Sequence, residues 1–226
     1  MPEQLPLALS LNHELSFERY FKKTNPELCA ALQQEMVSQF YLWGKTGVGK
    51  THLLQAACQA ALKKGQSAFY IGLSDISLQP EVLDDLEHFQ LLCLDDADAI
   101  FGKSDWEHQL FHCYNRFKAQ NGRFIIAAKT LPEKVQLQDL KSRLLAGATY
   151  HVQAPGQNQL PEVLSFLADQ YGLELSEEVA AYLITRSRRE ISTLSGIMRQ
   201  LDQASLKAKR RLTVPFVREV VYQFQV

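Results

Sequence analysis

Short apolar runs alternate with amphipathic stretches along much of the chain, and this alternation predicts its fold. The apolar runs predict buried strands at Phe40–Trp43, Ser67–Ile71, Leu91–Leu94, Phe124–Ala128 and Thr149–Val152. Between them, helical spacing predicts helices at His52–Cys58, Pro80–Phe89, Ser104–Gln120 and Asp139–Leu145. Strands that alternate with helices favour an α/β fold with a parallel sheet covered on both faces.

The helix at Ser104 begins with a capping pattern. Ser104 precedes the amphipathic stretch and Glu107 follows three residues later. In a capping box, the two side chains bond each other's backbone N–H groups at the helix start. We therefore expect Ser104 to be the N-cap residue.

The strand pattern ends near Ala154-Pro155-Gly156, where the composition changes. Beyond it, only helical patterns follow, near residues 159–171, 177–187, 190–209 and 214–224. The chain is therefore predicted to contain an α/β nucleotide-binding domain at residues 13–155 and a small helical domain at 156–226. Residues 1–12 form a short tail without helical periodicity.

Composition narrows the possible environments and partners. The formal net charge is −1, so a nucleic-acid contact would need a local basic patch rather than a global field. Neither a signal peptide nor an apolar run of membrane-spanning length is apparent, so we expect a cytoplasmic protein without membrane contact. The four cysteines, Cys29, Cys58, Cys93 and Cys113, lack metal-ligand spacing. Cys58 lies in a predicted helix and Cys93 in an apolar strand, and both are typical of small core residues in a reducing compartment.

The first predicted strand runs directly into a complete G-x-x-x-x-G-K-T motif. This phosphate-binding loop comprises Gly44, Lys45, Thr46, Gly47, Val48, Gly49, Lys50 and Thr51, with His52 following in the predicted helix. The strand–loop–helix context is the one in which this motif binds phosphates through backbone N–H groups and the helix N-terminus. Lys50 would neutralise the outer phosphates, and the Thr51 hydroxyl would bind Mg²⁺.

A pair of carboxylates, Asp95 and Asp96, ends the apolar run Leu91–Leu94. Ligands of open α/β sheets bind at the carboxyl ends of strands, so Asp95 would approach the Mg²⁺ as a Walker B residue does. Asp96 could orient or activate the attacking water. Acidic residues also end many strands that have no catalytic role. The pair therefore indicates a site only in combination with the phosphate loop that precedes it in the sequence.

Two groups of arginines are further candidates. Arg143 lies in a short predicted helix, where it could reach a γ-phosphate or simply be a solvated surface residue. Arg188 and Arg189 lie near Arg186 in the helical region, where either could cover the nucleotide or be solvated. The residues alone leave these alternatives open.

Four segments together resemble the DnaA branch of the AAA+ ATPases. Gly44–Gln55 is similar to its phosphate loop, and Leu91–Asp96 has the Asp-Asp of that branch where most of the superfamily has Asp-Glu. Leu140–Leu144 (LKSRL) resembles its arginine-finger segment, and Thr213–Val221 resembles the closing helix of its lid. The resemblance extends from about Leu15 to the C-terminus. It implies an AAA+ P-loop NTPase core followed by a small all-helical lid, with Arg189 as the lid's sensor 2 arginine.

The chain ends where a DnaA initiator would continue into its DNA-binding domain, so we expect a regulator built on the ATPase core alone. The tail residues Gln4, Leu5, Leu7 and Leu9 resemble the peptide with which such regulators bind the β sliding clamp of DNA polymerase III. An ordinary loose tail is the alternative. The resemblance implies that Arg143 completes the active site of ATP-bound DnaA in trans, while the clamp holds the regulator near DNA. A homo-oligomer could cover Arg143 until DnaA competes for it.

The sequence departs from the family pattern at two positions. The strand Phe124–Ala128 runs into Lys129, where the initiators have polar Ser-Asp, and Asp96 is one methylene shorter than a catalytic glutamate. We therefore expect ADP or ATP as a bound, slowly hydrolysed ligand. Phe17, Tyr20 and Phe21 precede the first strand and could flank the base or belong to the core.

Two other classes of function compete with this interpretation. The first is an autonomous P-loop ATPase, for example a helicase loader, which would need a further partner-binding region. The second is a DNA-binding module, for which the basic stretch 207–211 is the obvious candidate patch. Cations are also favoured at a helix C-terminus by the helix dipole alone.

Overall fold

The computed structural model describes residues 11–12, 14–34, 37–186 and 191–223. They fall into two compact units. The first contains the described residues up to Thr46 together with Lys50–Val152, and the second contains Gly47–Gly49 and the described residues from Gln153 onward. The domain limits predicted after residues 12 and 155 stay predictions.

A parallel five-stranded sheet forms the centre of the first unit. Its strands are β1 (Gln39–Trp43), β2 (Ala68–Gly72), β3 (Leu91–Asp95), β4 (Arg123–Ala128) and β5 (Ala148–His151). Their order across the sheet is β2-β3-β4-β1-β5, and every neighbouring pair is parallel. All five residues of β3 are buried, as expected for a parallel strand covered on both faces. The predicted parallel α/β fold is confirmed.

Four α-helices connect and cover these strands: α1 (Pro26–Gln33), α2 (Lys50–Lys63), α3 (Ser104–Ala119) and α4 (Gln138–Leu145). Short 3₁₀ segments lie at Lys22–Thr24, Pro80–Leu83 and Ala97–Ala99. The sequence reading did not predict α1. Its short amphipathic pattern buries Leu28, Cys29 and Leu32 against the rest of the unit.

The helix predicted at Pro80–Phe89 is wrong beyond its first turn. Only Pro80–Leu83 is helical, as a 3₁₀ segment, and Asp84 is already extended. Asp85 then has a φ of 54°, in the left-handed region that ends helices and that aspartate tolerates better than most residues. The chain turns here before it enters β3.

The predicted capping box at Ser104 is also wrong. Lys103 is the N-cap residue of α3, without a side-chain capping bond, and Ser104 is the first helical residue. Glu107 is 1% exposed, and its carboxylate accepts backbone N–H bonds from Gly102 (2.6 Å), Gln136 (2.9 Å) and Leu137 (2.8 Å). Its charge therefore ties α3 to the chain just before α4 instead of closing its own helix.

The second unit is helical. It contains α5 (Leu160–Asp169), α6 (Glu177–Arg186), α7 (Ile191–Ala208) and α8 (Val214–Gln223), preceded by a 3₁₀ turn at Gln157–Gln159. Helix α5 packs on α6 and α7, and α8 packs on both of these. The buried contact residues include Leu164, Leu183, Met198 and Val217. None of the helices among the described residues of either unit is long and apolar enough to cross a membrane.

Candidate nucleotide-binding site

The phosphate loop connects β1 to α2 at the carboxyl end of the sheet. Gly47 and Gly49 have φ values of 83° and 97°, a conformation that side chains with a Cβ rarely adopt. The Gly44 N–H donates to the carbonyl of Ala128 at 3.3 Å, which fixes the start of the loop to β4. Gly47 and Gly49 are therefore required by backbone geometry, independently of any ligand.

Lys50 lies under this loop. It is only 6% exposed, and its Nζ donates to the carbonyls of Gly44 (2.7 Å) and Lys45 (3.0 Å). Burial lowers the pKa of the Lys50 ammonium, and the carboxylates of Asp95 and Asp96 oppose this change. A buried cation enclosed by loop carbonyls is matched to an anionic ligand such as a phosphate group.

Thr51 and Asp95 meet directly. The Thr51 hydroxyl donates to Asp95 Oδ2 at 2.5 Å, and the hydroxyl of Tyr70 donates to the same oxygen at 3.1 Å. The backbone N–H of Asp96 donates to Asp95 Oδ1 at 2.9 Å. The structure thus brings together the two residues that the sequence assigned to Mg²⁺.

The Asp95 side chain is 2% exposed, and burial raises the pKa of its carboxyl group, while the Thr51 hydrogen bond opposes the change. A hydroxyl and a buried carboxylate beside a phosphate loop are the hard oxygen ligands that Mg²⁺ prefers. The residues present therefore fit the metal, and Thr51 with Asp95 would hold it. Bound there, it would neutralise phosphate charge.

Asp96 is held away from ideal backbone geometry. Its φ and ψ are 51° and 38°, in the left-handed region, and its Oδ2 accepts the Ser74 hydroxyl at 3.0 Å. The side chain of the second predicted catalytic carboxylate is thus already engaged by the loop after β2. Its role with water stays a prediction.

Lys129 follows β4, where related ATPases place a polar residue. Its backbone N–H donates to Asp98 Oδ1 at 2.9 Å, and its Nζ lies 3.3 Å from Asp98 Oδ2. The carboxylate of Asp98 therefore holds both ends of this lysine. An ammonium donates hydrogen bonds and cannot accept a proton from water, and the predicted weakness of hydrolysis stays a prediction.

The aromatic residues before the first strand are core residues. Phe17, Tyr20 and Phe21 are 3%, 5% and 6% exposed. His52 on α2 packs edge-on against the Tyr20 ring at 5.3 Å, and its Nε2 bonds the Ser16 carbonyl at 2.8 Å. Burial lowers the pKa of His52, so the neutral ring that donates to Ser16 is favoured. His52 thus joins α2 to the segment before α1.

Arg143 lies on α4 and is exposed. No ion pair or hydrogen bond of its guanidinium is found within the described parts of the chain, in contrast to its backbone carbonyl, which accepts a hydrogen bond from Gln39 Nε2. Tyr114 in turn donates to Gln39 Oε1 at 2.5 Å. Leu140 and Leu144 of α4 are fully buried. The helix is therefore fixed while the arginine side chain projects from it.

Several predicted residues lie outside the described residues. These are the tail residues Gln4, Leu5, Leu7 and Leu9 and the lid arginines Arg188 and Arg189. Their predicted roles stay predictions.

The basic stretch 207–211 forms the end of α7 and the turn after it. Lys209 has a φ of 50°, and the guanidinium of Arg210 lies over the Phe216 ring at 5.9 Å. One of its cations is therefore packed against the apolar face of α8, which favours the structural interpretation over a DNA-binding patch.

Two residues of the site were missed in the sequence. Tyr70 donates to Asp95 from β2, which is distant from the motif in sequence, whereas Gln55 lies on α2, one helical turn after Thr51. A signal for Tyr70 was available, because it is the polar side chain of an otherwise apolar strand. Its role depends on the sheet order, which places β2 beside β3.

Comparison with known proteins places the chain in a family. A model described as the bacterial DnaA ATPase domain matches residues 23–151, and a model described as the lid domain of Hda matches residues 157–221. AMPPCP-bound DnaA from Aquifex aeolicus has a TM-score of 0.74 and 21% identity, with 87% of this chain and 67% of that chain covered.

Two Thermotoga maritima structures are similar as well. Domain III of the replication initiation protein DnaA has a TM-score of 0.78 and 19% identity, with 94% of this chain and 98% of that chain covered. The RuvB Holliday junction branch migration motor has a TM-score of 0.68 and 16% identity, with 92% and 73% covered. At such identities these similarities show the fold alone.

The match to the DnaA ATPase domain spans more than half of the chain, and the chain therefore belongs to the DnaA-related AAA+ ATPases. The parallel sheet and the helical lid are those expected from the sequence resemblance. Because the second match is to the lid domain of Hda, the two matches together are consistent with Hda, a DnaA-related AAA+ protein.

Proposed function

We propose that the chain is a nucleotide-bound regulator of replication initiation that stimulates hydrolysis of DnaA-bound ATP through Arg143, acting in trans. The observation that supports it most is the exposed Arg143 on a fixed helix of a DnaA-related core with an Hda-type lid. An arginine supplied in trans to a γ-phosphate accelerates hydrolysis by about 10³–10⁵-fold in P-loop enzymes.

The anchoring of α4 supports a role for Arg143 outside its own chain. Leu140 and Leu144 hold the buried face of the helix, and Gln39 holds the carbonyl of Arg143 itself. A cation that is held by its backbone and has no ion pair found within the described residues can be presented to a second protein without breaking an internal bond. Preorganised charge of this kind costs little reorganisation when it meets a transition state.

The chain's own nucleotide serves, in this proposal, as a bound ligand. Lys50 would bind the phosphates, Thr51 and Asp95 would hold Mg²⁺, and ADP or ATP would occupy the site. We expect slow hydrolysis by the chain itself, because Asp96 is one methylene shorter than a catalytic glutamate and Lys129 follows β4, where the resembled initiators have polar Ser-Asp.

The tail supplies the second contact. Gln4, Leu5, Leu7 and Leu9 bind the β sliding clamp on DNA, which raises the local concentration of the regulator near DnaA. DNA is contacted only indirectly, through the clamp. A homo-oligomer that covers Arg143 would keep the regulator inactive until DnaA competes. Light scattering with and without ADP tests this part, and a monomer in both conditions would remove it.

The proposal is tested by measuring hydrolysis of ATP bound to purified DnaA, with and without clamp loaded on DNA. We expect stimulation that requires both the clamp and the tail, so the double variant Gln4→Ala, Leu5→Ala should lose the clamp-dependent part. Nucleotide binding by that variant should be unchanged, because the tail is remote in sequence from Lys50 and Asp95.

Two results would contradict the proposal. Stimulation of DnaA that is identical without clamp would remove the tethering. No stimulation of DnaA, combined with rapid ATP turnover by this chain alone, would favour the autonomous ATPase or helicase-loader function instead.

A further inference from the structure

A buried hydrogen-bond network extends from Asp95 away from the phosphate loop. Asp95 Oδ2 accepts the Tyr70 hydroxyl at 3.1 Å in addition to the Thr51 hydroxyl. Tyr70 lies opposite Cys93 in the pairing of β2 with β3, two residues from Asp95. Side chains two apart on a strand share one face of the sheet, here the face on which α2 packs.

The orientation of the Tyr70 hydroxyl is determined by its neighbours. Asp95 is a carboxylate, which accepts hydrogen bonds, so the single hydroxyl proton of Tyr70 points to it. The Gln55 side chain on α2 lowers the pKa of Tyr70, as an amide that donates toward the remaining lone pairs of the Tyr70 oxygen does. Burial, followed by the Asp95 charge, raises the pKa of Tyr70, so the hydroxyl keeps its proton at neutral pH.

The orientation of Gln55 is determined as well. Its Oε1 accepts the backbone N–H of Asn12 at 3.0 Å, so its amide NH₂ is the group left to donate to Tyr70. Gln55 is 7% exposed, so a flipped amide would place its oxygen against the Tyr70 oxygen and leave buried groups unsatisfied. The order Asn12–Gln55–Tyr70–Asp95–Thr51 thus has one consistent set of donors and acceptors.

We propose that Tyr70 and Gln55 are positioning residues that orient the Asp95 carboxylate for the divalent cation of the nucleotide site. This inference rests on the proposed nucleotide binding and deepens it. A carboxylate with one oxygen held by Tyr70 keeps a fixed direction when the cation separates it from Thr51. Without the Tyr70 hydroxyl, Asp95 would have to be ordered at the moment the cation binds.

The proposal divides the affinity for ADP into a part that depends on the divalent cation and a part that does not. Lys50 and the loop backbone contact phosphate with or without a cation, whereas Asp95 contributes only when the cation is present. Loss of Tyr70 or Gln55 should therefore weaken ADP binding in Mg²⁺ and leave binding in excess EDTA unchanged. A merely structural role would weaken both.

The experiment is a titration of the full chain with ADP by calorimetry, in Mg²⁺ and in EDTA. For Tyr70→Phe and Gln55→Leu we expect the ratio of the two affinities to fall by about 3–10-fold, the effect of one net hydrogen bond. The double variant should equal Tyr70→Phe alone, because the two residues act in series.

Two matched controls are available in the same unit. Tyr41→Phe removes a buried hydroxyl that donates to the Thr130 carbonyl at 2.8 Å, and Gln59→Leu removes an amide that donates to Asn12 at 2.7 Å. Neither residue has a hydrogen bond to Asp95 among the described contacts, so both should leave the affinity ratio within about twofold of the unsubstituted chain's ratio.

The outcomes are distinct. An unchanged ratio in Tyr70→Phe, or an equal change in Tyr41→Phe, would overturn the positioning role while leaving the proposed function intact. A wild-type affinity that is the same in Mg²⁺ and EDTA would also overturn it. No ADP binding by the wild-type chain would instead contradict the nucleotide-bound regulator itself.

Discussion

Asp95 in the candidate nucleotide site and Arg143 on helix α4 differ in burial and in hydrogen bonding. Asp95 is 2% exposed and accepts hydrogen bonds from Thr51, Tyr70 and the Asp96 backbone. Arg143 is exposed, and among the described residues another element of the unit bonds only its backbone carbonyl. One charge is enclosed by its own chain, and the other is presented on the surface.

In the proposed function, this difference allows one fold to bind a nucleotide and to act on the nucleotide of a second protein. A buried carboxylate with complete hydrogen bonding is suited to a ligand that stays bound, because its environment is already ordered. A surface arginine on a fixed helix contributes little to its own fold and is free to contact a partner. The comparison predicts that substitutions at the two places have separable effects.

The largest expected effect is at Arg143. Arg143→Ala should reduce stimulation of DnaA-bound ATP hydrolysis by about 10³-fold or more, because the charge meets the γ-phosphate in the transition state. Arg143→Lys should restore little, since an ammonium lacks the planar fork of the guanidinium. Lys141→Ala, on the same helix, is the control for general loss of positive charge and should keep most of the stimulation. An equal loss of stimulation in Arg143→Ala and Lys141→Ala would contradict a specific role for Arg143.

Helix α4 gives a second contrast between neighbouring leucines. Leu144 is fully buried and Leu145 is 41% exposed. Leu144→Ala should lower the free energy of unfolding by about 2–5 kcal/mol through lost burial and a cavity. Leu145→Ala should change it by less than about 0.5 kcal/mol. Urea denaturation checks both, and similar losses at the two positions would contradict the fixed helix described here.

The phosphate loop gives the third effect. Lys50→Ala should weaken ADP binding by about 10–100-fold, the range expected for charge-assisted hydrogen bonds to phosphate. Titration with a fluorescent ADP analogue measures it, and Lys63→Ala, at the exposed end of α2, is the control for loss of a positive charge. Unchanged affinity in Lys50→Ala would show that the nucleotide binds elsewhere.

A smaller effect, of opposite sign for stability, is expected at Asp95. Burial raises the pKa of this carboxyl in the folded state above its value in the unfolded state. At a pH between these two pKa values the folded state therefore binds more protons than the unfolded state. The contribution of this group to stability is present at low pH and is lost as the pH rises through the folded-state pKa. Asp95→Asn should raise the melting temperature of the nucleotide-free chain at pH 7, because the substitution removes the cost of burying the charge.

The matched control is Asp98→Asn, which breaks the ion pair with Lys129 and should not stabilise the chain. Thermal denaturation from pH 4 to pH 8 tests the sign. A melting temperature of Asp95→Asn below that of the unsubstituted chain across this range would show that the charge stabilises the fold. The same variant should lose Mg²⁺-dependent ADP affinity.

The sequence predicted those parts of the site that are encoded locally. The phosphate loop is a continuous motif with the required glycines, and Asp95 follows an apolar strand, so both could be found without a structure. The strands could be predicted because burial on both faces makes β3 and β4 continuously apolar. The parallel sheet and the helical lid followed from the same pattern and from the family resemblance.

What the sequence could not give depends on distant contacts. Tyr70 joins the site only because β2 lies beside β3, and Gln55 only because α2 packs on that face. Glu107 suggested a helix cap, but tertiary contacts with Gln136 and Leu137 determine its place. The short α1 and the early end of the helix at Pro80 likewise depend on neighbours, since local propensity is weak in such short segments.

The most direct test of the account is a single-turnover experiment that shows which protein hydrolyses its bound ATP. Radiolabelled ATP is bound first either to DnaA or to this chain, the partners are mixed with clamp-loaded DNA, and release of labelled phosphate is measured. The account predicts rapid release when DnaA carries the label and slow release when this chain carries it, with the rapid phase lost in Arg143→Ala. Rapid release from this chain and none from DnaA would contradict it.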